Sequence, residues 1–334
     1  MKYQQYASEE EVSAAYEHTQ AIEQALNAVI FGQQDLVRLV IAGLLARGNV
    51  LLEGLPGLGK TELVKTLSKV VSLGTKRVQF TPDLLPGDIT GNPVLQEKNG
   101  ERQFVFQPGP IFTNIMLADE INRASPKTQS ALLEAMQEQK VTVLGETHDL
   151  PKPFFVLATQ NPIDLEGTYP LPEAQLDRFL FKLNIERNNV STMEKIINAR
   201  ELGVEPTADK VISEDKLVEI LQLVRTVYLP APVANYIARL VDATHDSEAA
   251  KLLKYGASPR AALSLASAAK AYALMNNRNN ATFEDVRFLA PSVLRHRIQL
   301  DYSAKMENKS ADDIVEMILT EVPSHSSATP ATLQ

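Results

Sequence analysis

Eight consecutive residues, Gly54-Leu55-Pro56-Gly57-Leu58-Gly59-Lys60-Thr61, carry the spacing G-x-x-x-x-G-K-T of a phosphate-binding loop. They follow an apolar run at 50–52 and precede a helical pattern built on Leu63, Val64, Leu67 and Val70. That strand-to-helix setting is what the chemistry requires. Glycines keep Cβ atoms out of the loop, so backbone N–H groups can turn towards a polyphosphate, and the helix N-terminus adds positive potential. Lys60 is then placed to reach the β- and γ-phosphates and the Thr61 hydroxyl to take one coordination site of Mg²⁺. The candidate cofactor ligands of this segment are Gly54, Pro56, Gly57, Leu58, Gly59, Lys60, Thr61 and Glu62.

Further along, Ile115-Met116-Leu117-Ala118-Asp119-Glu120 reads as an apolar strand ending in two adjacent acids. At a strand's C-terminal edge beside a phosphate loop, Asp119 is suited to the Mg²⁺ shell. Glu120 is suited to orienting and deprotonating the water that attacks the γ-phosphate. Such a pair is commonplace at strand ends when it stands alone, and the loop is what gives it meaning. The next strand ends in Ala158-Thr159-Gln160-Asn161-Pro162, where the Asn161 amide could bond the attacking water or the γ-phosphate. An Asn before Pro is also a frequent turn former. Two arginines complete the candidates. Arg178, in Leu176-Asp177-Arg178-Phe179, either forms a surface salt bridge or is offered to a neighbouring subunit's γ-phosphate. Arg260, in Gly256-Ala257-Ser258-Pro259-Arg260, sits in the first turn of a helix, where its charge opposes the helix dipole unless an anion is near.

The elements that must position these residues are legible from apolar periodicity. Ser8-Glu9-Glu10-Glu11 resembles a capping box, with Val12, Tyr16, Thr19, Ile22, Leu26 and Val29 following at helical spacing. A second helix is predicted over 33–47, closed by Gly48. Apolar runs at 50–52, 77–80, 115–118, 154–158 and 179–185 read as five strands covered on both faces, with helical crossovers between them. Two insertions interrupt the alternation: a hairpin at 93–106 signalled by Asn99-Gly100, and a second near 141–150 around Gly145. After Arg187 the chain reads as helical, over 192–201, 214–228, 233–245, 259–276 and 283–289. The last dozen residues, rich in Ser, Thr, Ala and Pro, read as disordered. The expected organisation is an N-terminal helix (1–30), an α/β nucleotide-binding domain (31–187), a helical domain (188–300) and a C-terminal helix with a tail (301–334).

Bulk properties exclude several classes. The 334 residues carry a net charge of −8 and no run of five or six cations, so nothing supplies a broad positive field for nucleic acid or anionic lipid. The absence of cysteine rules out disulfides and thiolate metal sites, and the five histidines show no ligand spacing. Neither a signal peptide nor an 18-residue apolar span is present, so a cytoplasmic protein with no membrane span is expected.

Taken in order, these motifs resemble the AAA+ ATPases. The glycine loop, the Asp119-Glu120 strand, Asn161, Arg178 and Arg260 look like Walker A, Walker B, sensor 1, arginine finger and sensor 2. The hairpins resemble the two that mark the helix-2-insert group. Gln79-Phe80-Thr81-Pro82-Asp83-Leu84-Leu85-Pro86-Gly87-Asp88, Asp119-Glu120-Ile121-Asn122-Arg123-Ala124 and Leu171-Pro172-Glu173-Ala174-Gln175-Leu176-Asp177-Arg178-Phe179 look like the MoxR family in particular. The resemblance runs from about residue 20 to 300. It implies an AAA+ P-loop core with a five-stranded parallel sheet and an all-helical lid. It also implies a Mg²⁺-dependent ATPase working as a homo-oligomer, a hexameric ring with sites between subunits. The work implied is chaperone-like remodelling or activation of protein partners, which in this family often carry von Willebrand factor A domains. A nucleic-acid motor and the ATPase subunit of a chelatase are the alternatives within the same group. Arg123 either faces a neighbouring subunit or closes a buried salt bridge.

Overall fold

The computed structural model describes residues 6–55, 57–98, 101–162, 168–199, 204 and 208–324. Pro56, the Asn99-Gly100 turn, the end of the predicted 192–201 helix and the tail at 325–334 lie outside them. The chain divides into two compact units, one of residues 17–222 and one of residues 1–16 with 223–334.

In the first unit the chain alternates strand and helix. After α1 (Glu9–Asn27), whose first residues belong to the other unit, come α2 (Gln34–Leu45), β1 (Val50–Glu53), α3 (Lys60–Val70), β2 (Thr75–Gln79) and α4 (Pro86–Thr90). Next are β3 (Gly91–Lys98), β4 (Glu101–Pro108), β5 (Ile115–Asp119), α5 (Pro126–Glu138), β6 (Lys140–Val143), β7 (Glu146–Asp149) and β8 (Phe155–Gln160). The unit ends with α6 (Glu173–Leu176), β9 (Phe181–Asn184), α7 (Val190–Ala199) and most of α8 (Glu214–Thr226). Five strands form one parallel sheet in the order β2-β5-β8-β1-β9.

Burial explains that order. All of β1, β5 and β8 is buried except their last residues, Glu53, Asp119 and Gln160, so the apolar runs sit mid-sheet and the polar ends emerge together at one edge. Behind that edge, Leu51, Met116, Ala118, Val156 and Ala158 pack with Leu132, Leu133 and Met136 of α5. Each Leu, Met and Val among them contributes about 1.5–3 kcal/mol by leaving water and each Ala less, enough together to hold the strand ends in place. The expectation of uniformly covered strands fails at β2. Its Thr75, Lys76, Arg77 and Gln79 are exposed, as suits an edge strand whose charges discourage further pairing. The run at 179–185 also yields a shorter strand, because Arg178 and Phe179 still belong to the turn after α6.

Both predicted hairpins form, β3–β4 and β6–β7. The second closes on Leu144 and Gly145, both at positive φ (53° and 82°), the backbone that a two-residue turn of matching twist needs. Glycine accepts this freely, whereas Leu144 does so at some cost.

The second unit contains α9 (Ala231–Asp242), α10 (Pro259–Leu274), α11 (Phe283–Leu294), α12 (Tyr302–Met306) and α13 (Ala311–Glu321). Thr282 and Asp285 form a capping box at the start of α11, and Arg278 Nη1 donates to the buried Asp285 carboxylate at 2.7 Å. That guanidinium is held firmly in its charged form by Asp285. One departure from the sequence reading lies here: strands recur after Arg187, as a short antiparallel ribbon of β10 (Leu253–Tyr255) with β11 (Gln299–Leu300). Among the described residues no helix is long and apolar enough to cross a membrane.

Candidate functional site

The loop between β1 and α3 is held from both sides. The Gly54 N–H donates to the Gln160 carbonyl at 3.2 Å on the β8 side, and the Ile185 N–H donates to the Glu53 carbonyl at 2.8 Å on the β9 side. A Cβ at Gly54 would lie 3.0 Å from Ile185 Cβ and 3.2 Å from its carbonyl oxygen, so this glycine is needed for close packing of the loop base. Gly57 and Gly59 are different. Both have positive φ (83° and 80°), and a Cβ on either would meet nothing within 4 Å. Their backbone is turned to open space, which is how a loop presents N–H groups to a ligand. At the base, Lys182 Nζ pairs with Glu53 at 2.9 Å across β9 and β1.

Gly57, Gly59, Lys60, Thr61, Glu62, Arg77, Gln79, Asp119, Glu120 and Asn161 line one cleft of about 430 Å³ at the C-terminal edge of the sheet. This is where open α/β sheets take their ligands. Lys60 Nζ donates to the Gly54 carbonyl. Burial pushes the Lys60 pKa down, against the attraction of Asp119, Glu120 and Glu53.

The two acids are tied into a network. Thr159, fully buried, donates its hydroxyl to Asp119 Oδ1 at 2.6 Å and accepts the Glu120 N–H at 2.8 Å. Arg77 reaches Asp119 Oδ2 from the neighbouring strand at 2.7 Å. Gln79, directly opposite Asp119 in the β2–β5 ladder, donates to Glu120 Oε2 at 2.9 Å, and Arg123 Nη1 donates to the same oxygen at 2.9 Å. Glu120 itself has φ 55° and ψ 51°, a left-handed backbone that is uncommon for a non-glycine residue and that recurs at functional sites. Arg123 forms this salt bridge within the chain with its side chain 44% exposed, not the buried bridge that the sequence suggested.

Eight sequence candidates, Gly57, Gly59, Lys60, Thr61, Glu62, Asp119, Glu120 and Asn161, thus share the cleft. Gly54 closes the loop base, Leu58 is half-buried in the loop, and Pro56 lies outside the described residues. Arg178 is not part of the lining; its Nη1 donates to the Leu133 carbonyl of α5 at 3.0 Å. Arg260 is the second residue of α10, exposed, and belongs to the other unit. Sequence reasoning missed Arg77, Gln79 and Thr159. The available signal was polar residues two apart on a strand that would flank the Asp-Glu strand.

A parallel sheet of this order, a glycine loop leading from β1 into a helix, and an Asp-Glu pair at the end of β5, on the other side of β8, together define an AAA+ P-loop ATPase. The pattern of the ATPase family associated with various cellular activities (AAA) matches residues 49–181, and that of the AAA lid domain matches 245–318. The uncharacterized protein YeaC of Bacillus subtilis is 46% identical over 299 residues, covering 89% of this chain and 92% of that one. Chaperone MoxR1 of Mycobacterium tuberculosis is 42% identical over 301 residues, covering 88% and 79%. A crystal structure of a Cytophaga hutchinsonii protein assigned as an ATPase superposes with a TM-score of 0.87 at 39% identity, covering 94% and 97%. The chain belongs to the MoxR family of AAA+ ATPases and hydrolyses ATP.

Proposed function

We propose that this ATPase is Mg²⁺-dependent, works as a six-membered homo-oligomeric ring, and uses turnover to remodel or activate a protein partner. The observation that carries the catalytic part is the convergence of Lys60, Thr61, Asp119, Glu120 and Asn161 on one cleft. In this reading residues 31–187 are the nucleotide-binding domain and 188–300 the lid. Backbone N–H groups of 57–61 and the Lys60 ammonium bind the phosphates. The donor set fits Mg²⁺, since the Thr61 hydroxyl and the Asp119 carboxylate are hard oxygen ligands on the open side of the glycine loop. The metal, when bound, neutralises charge on the β- and γ-phosphates. Glu120, whose carboxylate accepts from Gln79 and Arg123 in this structure, orients the attacking water and accepts its proton. Asn161 bonds the water or the γ-phosphate. Arg178 and Arg260 add positive charge to the transferring phosphoryl group, Arg178 from the neighbouring subunit.

Lys60→Ala removes a charge-assisted contact to phosphate. ATP affinity is expected to fall about 10–100-fold, the equivalent of roughly 1.5–3 kcal/mol. Titration with a fluorescent ATP analogue measures this, and unchanged affinity would remove Lys60 from the site. The ring is tested by light scattering with ATP and Mg²⁺, where a mass of six chains is expected; a monomer under turnover conditions rules the ring out. The family resemblance makes a protein with a von Willebrand factor A domain, in the cytoplasm, the first partner to examine.

A further inference from the structure

Arg77 carries no role in the reading so far. It sits in β2 opposite Leu117, with its side chain 52% exposed, and extends along the cleft to Asp119. Its Nη2 and Nε both donate to Oδ2 of that carboxylate, at 2.7 and 3.1 Å. The same Nη2 donates to Gln79 Oε1 at 2.9 Å, and Gln79 passes a bond on to Glu120 Oε2. One guanidinium therefore grips the acid proposed to hold the metal and, through Gln79, steadies the acid proposed as base. Asp119 Oδ1 already accepts the Thr159 hydroxyl, so Oδ2 is the oxygen on which arriving charge would be contested.

A guanidinium fork and a small divalent cation cannot share one carboxylate oxygen comfortably. Their charges repel, and Mg²⁺ demands near-ideal octahedral geometry at close range. A half-exposed ion pair is a weak one, so it can be exchanged rather than being a permanent strut. Lys60 lines the same cleft, so a displaced Arg77 would remain among groups that attract phosphate.

We infer that Arg77 is a positioning residue that competes with the divalent cation for Asp119 Oδ2, so that metal loading frees Arg77 and loosens the Gln79 hold on Glu120. The inference rests on the cleft being a Mg²⁺–nucleotide site. It makes metal arrival and the release of the base one event, and it disfavours metal binding ahead of nucleotide.

The test is Mn²⁺ binding to the full chain with ADP present, followed by the electron paramagnetic resonance signal of free Mn²⁺. R77A is expected to bind Mn²⁺ about fivefold more tightly than wild type, because the competitor is gone. R77K, which keeps the charge without the fork, is expected to fall between them. Should R77A not fold, R77Q carries the same expectation. Unchanged or weaker Mn²⁺ affinity in ADP-bound variants overturns the inference alone. Wild-type protein that binds no ADP overturns the reading of the cleft, and the inference with it.

Discussion

Replacing Glu120 by Gln is expected to leave ATP binding within about twofold of wild type while kcat falls about 10²–10⁴-fold, the range that a positioned general base supplies. The substitution keeps the side-chain length and a carbonyl oxygen that can accept from Gln79 and Arg123, which both bond Oε2. The Glu120 N–H bond to Thr159 is a backbone contact and survives. What is lost is the basic carboxylate in the cleft. Binding and chemistry should therefore separate cleanly, as measured by nucleotide titration against steady-state phosphate release. Full turnover in Glu120→Gln would defeat the proton-acceptor role. A parallel loss of ATP affinity would point to Glu120 as a ligand instead.

Arg178→Ala is expected to lower kcat by about 10³-fold or more, because an arginine supplied to a neighbour's γ-phosphate is worth that much in related phosphoryl transfer. Within its own chain Arg178 donates to the Leu133 carbonyl, so a purely structural role predicts something else. In that case the variant would lose about 1 kcal/mol of stability, the worth of one hydrogen bond, and keep its turnover. Mixing decides further. A ring containing both Arg178→Ala and Glu120→Gln chains has some sites with an intact Glu120 on one side and an intact Arg178 on the other. ATPase activity should then reappear from two inactive preparations. No recovery at any mixing ratio counts against action in trans.

The glycine loop and the strand ends were legible because they are encoded locally. Gly57 and Gly59 must take positive φ, Lys60 follows within the same turn, and the runs ending at Glu53, Asp119 and Gln160 announce buried strands by composition alone. The surroundings of the acids were not, because they depend on register. Gln79 faces Asp119 only through the β2–β5 pairing, and Arg77 reaches that acid across 42 positions of sequence. A propensity reading sees Lys76-Arg77-Val78-Gln79 as an ordinary half-polar strand, and its exposure is a property of being at the sheet's edge. The β10–β11 ribbon escaped notice for a simpler reason. Gln299–Leu300 is too short to show any period, and the pairing joins residues some 45 positions apart.

The left-handed backbone at Glu120 has a consequence for how this chain divides stability from turnover. In an extended strand neighbouring side chains point to opposite faces, so Asp119 and Glu120 could not both serve one cleft. The kink at Glu120 breaks that alternation and turns both carboxylates inward. A non-glycine residue held there costs of order 1–3 kcal/mol, which buried neighbours such as Thr159 and Ile121 must offset. A chain free of the demand to hydrolyse ATP would put Gly or Asn at 120 and fold more securely. On the proton-acceptor role proposed for Glu120, the acidic pair at this strand end is a place where the fold gives up robustness for the sake of rate.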